Sequence, residues 1–192
     1  MKCGKPKGIP PTNIFMVTEE RTEAAANMMV GLAELAVSCD PSIVLSTYPL
    51  GACLGIAIYD PVTKVGGLLH SLLPASSIDP KRAADRPGMF LDTGLAALLK
   101  RARELGAKPE NLLIFVAGGA QIMDETTPFN IGKRNYEVLT ELLAERKLQI
   151  HAEDVGGRTN RTMRLNLASG EVRLKFSGQA KLIILCKPLT TI

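Results

Sequence analysis

Residues 47–53 of this 192-residue chain read TYPLGAC and run straight into LGIAIY. The thiol of Cys53 therefore follows a Pro-Leu-Gly-Ala bend at the mouth of a strand-like segment. A cysteine in such a place can be a small core residue, half of a disulfide, a metal ligand or a nucleophile. The other cysteines, Cys3, Cys39 and Cys186, are widely spread and form no CxxC pair. The start, MKCGKPKGIPPTNIF, carries lysines but no long apolar run after them, so a cytoplasmic protein with reduced thiols is expected. There are two histidines, His70 and His151, and neither lies near a cysteine pair, which argues against zinc. Cys53 is left as a lone thiol, either packed or reactive.

The element that must position it is a hairpin. LGIAIY and VGGLLHSLL are strand-like and are joined by Asp60-Pro61-Val62-Thr63. Asp at the first position and Pro at the second suit a type I turn. A turn at 60–63 pairs Asp60 with Thr63, and the same register sets Cys53 directly opposite His70. Directly paired residues have Cβ atoms about 4.5–5.5 Å apart, close enough for thiol and imidazole to share a proton. A slip of one residue would send them to opposite faces. Gly51 lets a ligand approach the backbone, and Gly55 and Ala57 leave room above the strand. A thiol beside histidine can lose its proton far below the free value of about 8.5. Lone cysteines more often pack than react; the register and the glycine setting bring the two readings level.

The rest of the chain supplies the frame. IVLST, NLLIFVAGGA, LQIHAEDVGG and AKLIILC read as strands, and TMRLNLASGEVRLKF as a hairpin bending at Ser169-Gly170. MFLDTGLAALLKRARELGA is an amphipathic helix with Leu91, Leu95, Leu98, Leu99 and Ala102 on one face and Gly106 at its end. GKRNYEVLTELLAERK is a second, with Tyr136, Leu139 and Leu143 inward. LPASSIDPKRAADRPG reads as an exposed polar loop, and residues 19–37 fit helix or strand. Seven or eight strands and two or three helices in irregular order predict an α/β (α+β) sandwich, with mixed or antiparallel sheets flanked by helices in a single domain. Apolar residues are 46% and charged ones 22%, enough to bury a core at this length. A net charge of +4 with no Trp, three Tyr and five Phe offers little to nucleic acid. No apolar run approaches the ~20 residues of a membrane helix. Gly118-Gly119 lacks the spacing of a nucleotide loop, His151 reads as a surface or packed histidine, and Arg158, Arg161 and Arg164 could face an acidic partner.

TYPLGACLGIAIYDPVTKVGGLLH resembles the signature of the chemoreceptor glutamine deamidases, the CheD family: a Thr, a Leu-Gly-Ser-Cys bend, a strand, an Asp-Pro turn and a Gly-Gly stretch ending in His. VAGGAQIM, IGKRNYEVLTELLAE and HAEDVGGRTNRTMRLN are similar to further family segments, and VGLAELAVSCDPSIVLST to an upstream strand, which favours strand over helix for 30–37. The resemblance runs from about residue 29 to at least 175, so residues 1–28 are expected as an N-terminal arm, a disordered tail by default with a docking helix over 19–29 as the alternative, and 29–192 as the deamidase domain. It implies Cys53 as nucleophile, His70 as acid and base, and Thr47 as the group orienting His70. It implies no cofactor and no metal. The implied partners are cytoplasmic helices of methyl-accepting chemoreceptors and a phosphatase of the CheC type. Ala52 stands where the family usually has Ser. A catalytically idle docking module and a thiol hydrolase or transglutaminase acting on other amides are the rival readings.

Overall fold

The computed structural model describes residues 26–121, 130–180 and 182–186. Within them the chain forms strands β1 (Ala26–Val30), β2 (Glu34–Ser38), β3 (Ile43–Thr47), β4 (Leu54–Tyr59), β5 (Gly66–Ser71), β6 (Leu113–Gly118), β7 (Ile150–Val155), β8 (Arg161–Asn166), β9 (Val172–Phe176) and β10 (Leu182–Cys186). The helices are α1 (Pro80–Asp85), α2 (Leu91–Glu104) and α3 (Ile131–Glu145). One sheet has the order β1-β3-β8-β9-β10 and the other β2-β5-β4-β6-β7. The β1/β3 and β6/β7 pairs are parallel and the other pairs antiparallel, so both sheets are mixed. This is the expected α+β sandwich in one domain.

Strand β4 shows why the layers stack as they do. Leu54, Ile56 and Ile58 point to one face and pack with Leu95 and Leu98 of α2 and Leu139 of α3. Ala57 and Tyr59 point to the other and pack with Leu45, Leu165 and Leu174 of the facing sheet. A strand covered on both faces reads as an unbroken apolar run, as LGIAIY does. The sheets approach closely at Gly66, where an added Cβ would lie 2.3 Å from Leu167 Cδ2. Tyr59 donates its hydroxyl across the gap to the Leu167 carbonyl at 3.1 Å.

Both long helices follow their sequence signals. Leu91, Leu95, Leu98 and Ala102 are buried, and α2 stops at Gly106, with φ at 100°. Asn130 caps α3 by accepting from Lys133 N–H at 2.9 Å. Three expectations need correction. First, residues 30–37 are not one strand: β1 ends at Val30, the chain turns through Gly31–Ala33, and β2 begins at Glu34. The helix considered over 19–29 is strand from Ala26 onward, and residues 1–25 lie outside the described residues. Second, the loop at 73–88 contains α1, whose start is an Asp79 cap on Arg82 N–H at 3.0 Å followed by Pro80 at the first helical position. Third, the hairpin turn is longer than Asp60–Thr63. Asp60 N–H donates to Val65 O at 2.8 Å and Lys64 N–H to Asp60 O at 2.8 Å, with Lys64 left-handed at φ 59°. The Asp60 carboxylate holds this wider loop, accepting from Val62 N–H at 2.8 Å, Thr63 N–H at 3.2 Å and Lys108 N–H at 2.9 Å.

Candidate active site

The wider loop moves the register. Gly55, not Cys53, stands directly opposite His70, and Leu54 opposite Ser71. The displacement is two residues, which preserves the face, because side chains alternate with period two. Cys53 precedes β4 and lies diagonally from His70 at the start of the strand. Diagonal neighbours are about 7–8 Å apart, still within reach of a side chain as long as imidazole. Gly55 leaves no vacancy of its own: a Cβ there would lie 2.6 Å from Leu50 Cδ1.

The bend before Cys53 is pinned at each carbonyl. Gly51 O accepts from Ala120 N–H at 2.8 Å, Ala52 O from Asn135 Nδ2 at 3.2 Å, and Cys53 O from Gly119 N–H at 2.8 Å. Leu50 and Arg161 exchange backbone bonds at 2.7 and 3.2 Å just upstream. Gly118, with φ at 113°, is required here, since a Cβ would lie 2.1 Å from Cys53 O. Apart from the Cys53 sulfur itself, no described residue accepts from the N–H groups of Ala52 or Cys53. The Cys53 N–H lies against its own sulfur. The bend thus offers two backbone donors beside a half-buried thiol.

His70 and Thr47 are fully buried. Thr47 Oγ1 accepts from Met163 N–H at 3.0 Å, at the point where β3 leaves its ladder with β8. Neither imidazole nitrogen of His70 has a hydrogen-bond partner among the described residues, so the structure contains no Thr47–His70 or Cys53–His70 hydrogen bond. Burial lowers the pKa of His70; the Val30 backbone favours the protonated ring but does not reach hydrogen-bond geometry, and burial prevails. Burial likewise raises the Cys53 thiol, against the smaller pull of its own N–H. The depressed thiol expected beside a histidine is therefore not found in the resting site. Without a shared proton between the two groups, desolvation decides, and both rest neutral.

Other residues shape the site without having been singled out in the sequence. Asn135 of α3 is buried and reaches Ala52 O and Leu72 O. Glu34 stands opposite His70 on β2, its carboxylate turned to Gly31 N–H at 2.9 Å. Arg161 is not a surface cation. It is 3% exposed, donates to Gly118 O and Gly156 O at 2.8 Å each, pairs with Asp154 at 2.9 Å, and lies over the Phe176 ring. The only advance sign of these roles was the position of Asn135 one turn inside an amphipathic helix. His151 is exposed, as one of its two readings had it, and its Nδ1 accepts from Ile114 N–H at 3.2 Å beside the register shift between β6 and β7. A cleft of about 700 Å³ opens next to the bend, lined in part by Gly119, Lys133, Tyr136, Glu153 and Arg158. Among the described residues no three His, Cys, Asp or Glu side chains gather as metal ligands, and no helix is long and apolar enough to cross a membrane.

Cys53 thus closes a pinned bend two residues before Gly55, the strand partner of the buried His70. Residues 72–176 match the family model described as CheD chemotactic sensory transduction. A protein of Syntrophus aciditrophicus named probable chemoreceptor glutamine deamidase CheD 1 is 43% identical over 152 residues, covering 79% of this chain and 95% of that one. A Solibacter usitatus protein named probable chemoreceptor glutamine deamidase CheD is 42% identical over 157 residues, 82% of this chain and 93% of the relative. One from Thermococcus kodakarensis with the same name is 40% identical over 156 residues, 80% and 95% of the two chains. The chain belongs to the CheD family. The family-model match begins just after His70, whereas alignments of this length necessarily take in Thr47, Cys53 and His70.

Proposed function

We propose that this protein converts glutamine side chains of chemoreceptors to glutamate, with Cys53 as nucleophile, His70 as proton carrier and Thr47 as its support. The observation that carries this reading is the bend at Gly51–Cys53, whose carbonyls are all engaged while the N–H groups of Ala52 and Cys53 remain open beside the thiol. The sequence relatives named as chemoreceptor glutamine deamidases support the substrate class.

Because thiol and imidazole rest neutral, His70 acts as a general base only once substrate arrives. The sulfur attacks the amide carbon while His70 takes the thiol proton, forming the S–C bond. The developing oxyanion falls to the backbone N–H donors. His70 returns the proton to the departing nitrogen, the C–N bond breaks and ammonia leaves. Water, deprotonated by His70, then attacks the thioester and releases glutamate and the free thiol. Ala52 has no hydroxyl to offer, so a donor at that position is its backbone N–H. The protein acts in the cytoplasm on the cytoplasmic helices of receptors, with a CheC-type phosphatase as regulator.

Mass spectrometry of a receptor cytoplasmic fragment incubated with wild type and with Cys53→Ala tests the reading. Gln-to-Glu conversion by wild type, slowed more than about 10³-fold in the variant, is expected. Equal conversion by both would remove Cys53 as nucleophile. Tight binding without conversion would make the protein a docking module.

A further inference from the structure

Asn135 lies inside α3, fully buried, and its carboxamide has no part in the steps above. Nδ2 donates to Leu72 O at 2.9 Å and to Ala52 O at 3.2 Å. With carbonyls as both neighbours, the end of the amide facing them must be the nitrogen. Oδ1 is buried and has no partner among the described residues. Buried polar atoms are normally paired, so an amide kept with its acceptor unpaired is kept for its donors.

The two carbonyls belong to the two halves of the reaction. Leu72 follows closely on His70, and Ala52 immediately precedes Cys53. The Ala52 carbonyl and the Cys53 N–H are opposite ends of one planar trans peptide. Gripping the carbonyl therefore sets the direction of the N–H. The neighbouring peptides are held by backbone groups, through Ala120 N–H on Gly51 O and Gly119 N–H on Cys53 O. The Ala52–Cys53 peptide is held by a side chain, and so can be released by substitution.

We propose that Asn135 is a positioning residue of the deamidation reaction: its carboxamide locks the Ala52–Cys53 peptide so that the Cys53 N–H stands ready as oxyanion donor, and ties that peptide to the end of the strand bearing His70. The inference rests on the Cys53 reading above.

Asn135→Leu and Asn135→Ala both remove the two donors, the first with little change of shape. Wild type, both variants and Cys53→Ala are compared for kcat and KM on the receptor fragment, and for the rate of Cys53 alkylation by iodoacetamide, which needs no oxyanion donor. The expected result in either folded variant is a kcat lower by about 10²-fold, the loss typical of one oxyanion donor. KM and the alkylation rate should stay within about threefold of wild type. A folded variant with kcat within threefold of wild type overturns the proposal. So does a fall in alkylation equal to the fall in kcat, which would mean general disruption of the bend, and so does failure of both variants to fold, which would make Asn135 structural. If wild type itself leaves the fragment unchanged, or Cys53→Ala converts it, the Cys53 reading fails and this inference goes with it.

Discussion

At the scale of single residues, burial keeps both groups of the proposed site, Cys53 and His70, toward their neutral forms. His70 is buried without a hydrogen-bond partner among the described residues, and its pKa is pushed below the ordinary histidine value of about 6.5. A general base must be unprotonated, so the acid limb of kcat/KM should be centred below pH 6.5. An acid limb centred at or above 6.5 would contradict the burial effect. Burial raises the thiol, so the rate of Cys53 alkylation without substrate should still be climbing above pH 8.5. Thr47 has a structural duty that any catalytic one must share, since its Oγ1 accepts from Met163 N–H in the core. Thr47→Val strands that buried donor and should cost about 1–3 kcal/mol by urea titration, while Thr47→Ser should recover most of it. If Thr47 also orients His70, the valine variant loses kcat beyond its loss of stability and the serine variant does not.

At the scale of elements, the β4–β5 hairpin decides where thiol and imidazole stand, and Asp60 decides the hairpin. Burial pushes the Asp60 carboxyl up, but the N–H groups of Lys108, Val62 and Thr63 outweigh it and hold the pKa low. A carboxyl with a lowered folded pKa stabilises above its unfolded value and loses that contribution as pH falls. Asp60→Ala should cost about 2–3 kcal/mol at neutral pH, because backbone donors lose a charged acceptor, and Asp60→Asn should cost less. The difference between wild type and Asp60→Ala should shrink toward pH 3; a constant gap across that range would show that charge is not what Asp60 contributes.

For the whole molecule, Arg161 joins the two sheets at the floor of the site. Its backbone is in β8 of one sheet, while its guanidinium holds Gly118 O at the end of β6 in the other. Burial lowers its pKa and Asp154 opposes this, so it stays charged and must stay paired. Arg161→Met should cost about 3 kcal/mol in unfolding free energy and should also reduce turnover, because Gly118 touches the Cys53 bend. Arg161→Lys should not rescue it, since one ammonium cannot span two carbonyls and a carboxylate. His70 and Cys53 also narrow the pH range of the fold. Below pH 6.5 the unfolded chain binds a proton that folded His70 refuses, so stability falls with falling pH. Above about pH 8.5 the unfolded chain releases a proton that folded Cys53 keeps, so stability falls with rising pH. The drop in Tm on each side should be smaller in His70→Phe and Cys53→Ala respectively.

The sequence by itself determined the elements whose cause is local. The unbroken LGIAIY run, the apolar face at Leu91, Leu95 and Leu98, and the Ser169-Gly170 bend follow from side-chain period and turn chemistry within a few residues. Cys53 and His70 became candidates there through type and spacing, Thr47 through the family resemblance, and the family itself through its ordered motifs. The tertiary structure decided what depends on contacts between distant segments. The two-residue shift that takes Cys53 from opposite His70 to diagonal follows from the wider turn held by Asp60, one of whose partners, Lys108, is 48 positions away. Asn135 meets Ala52 and Leu72 across 83 and 63 positions, and Arg161 meets Gly118 across 43. No local pattern encodes such pairs. The resting charge of the site belongs to the same class, because desolvation depends on everything packed around a group, and the sheets that bury His70 are separate stretches of chain until they fold together.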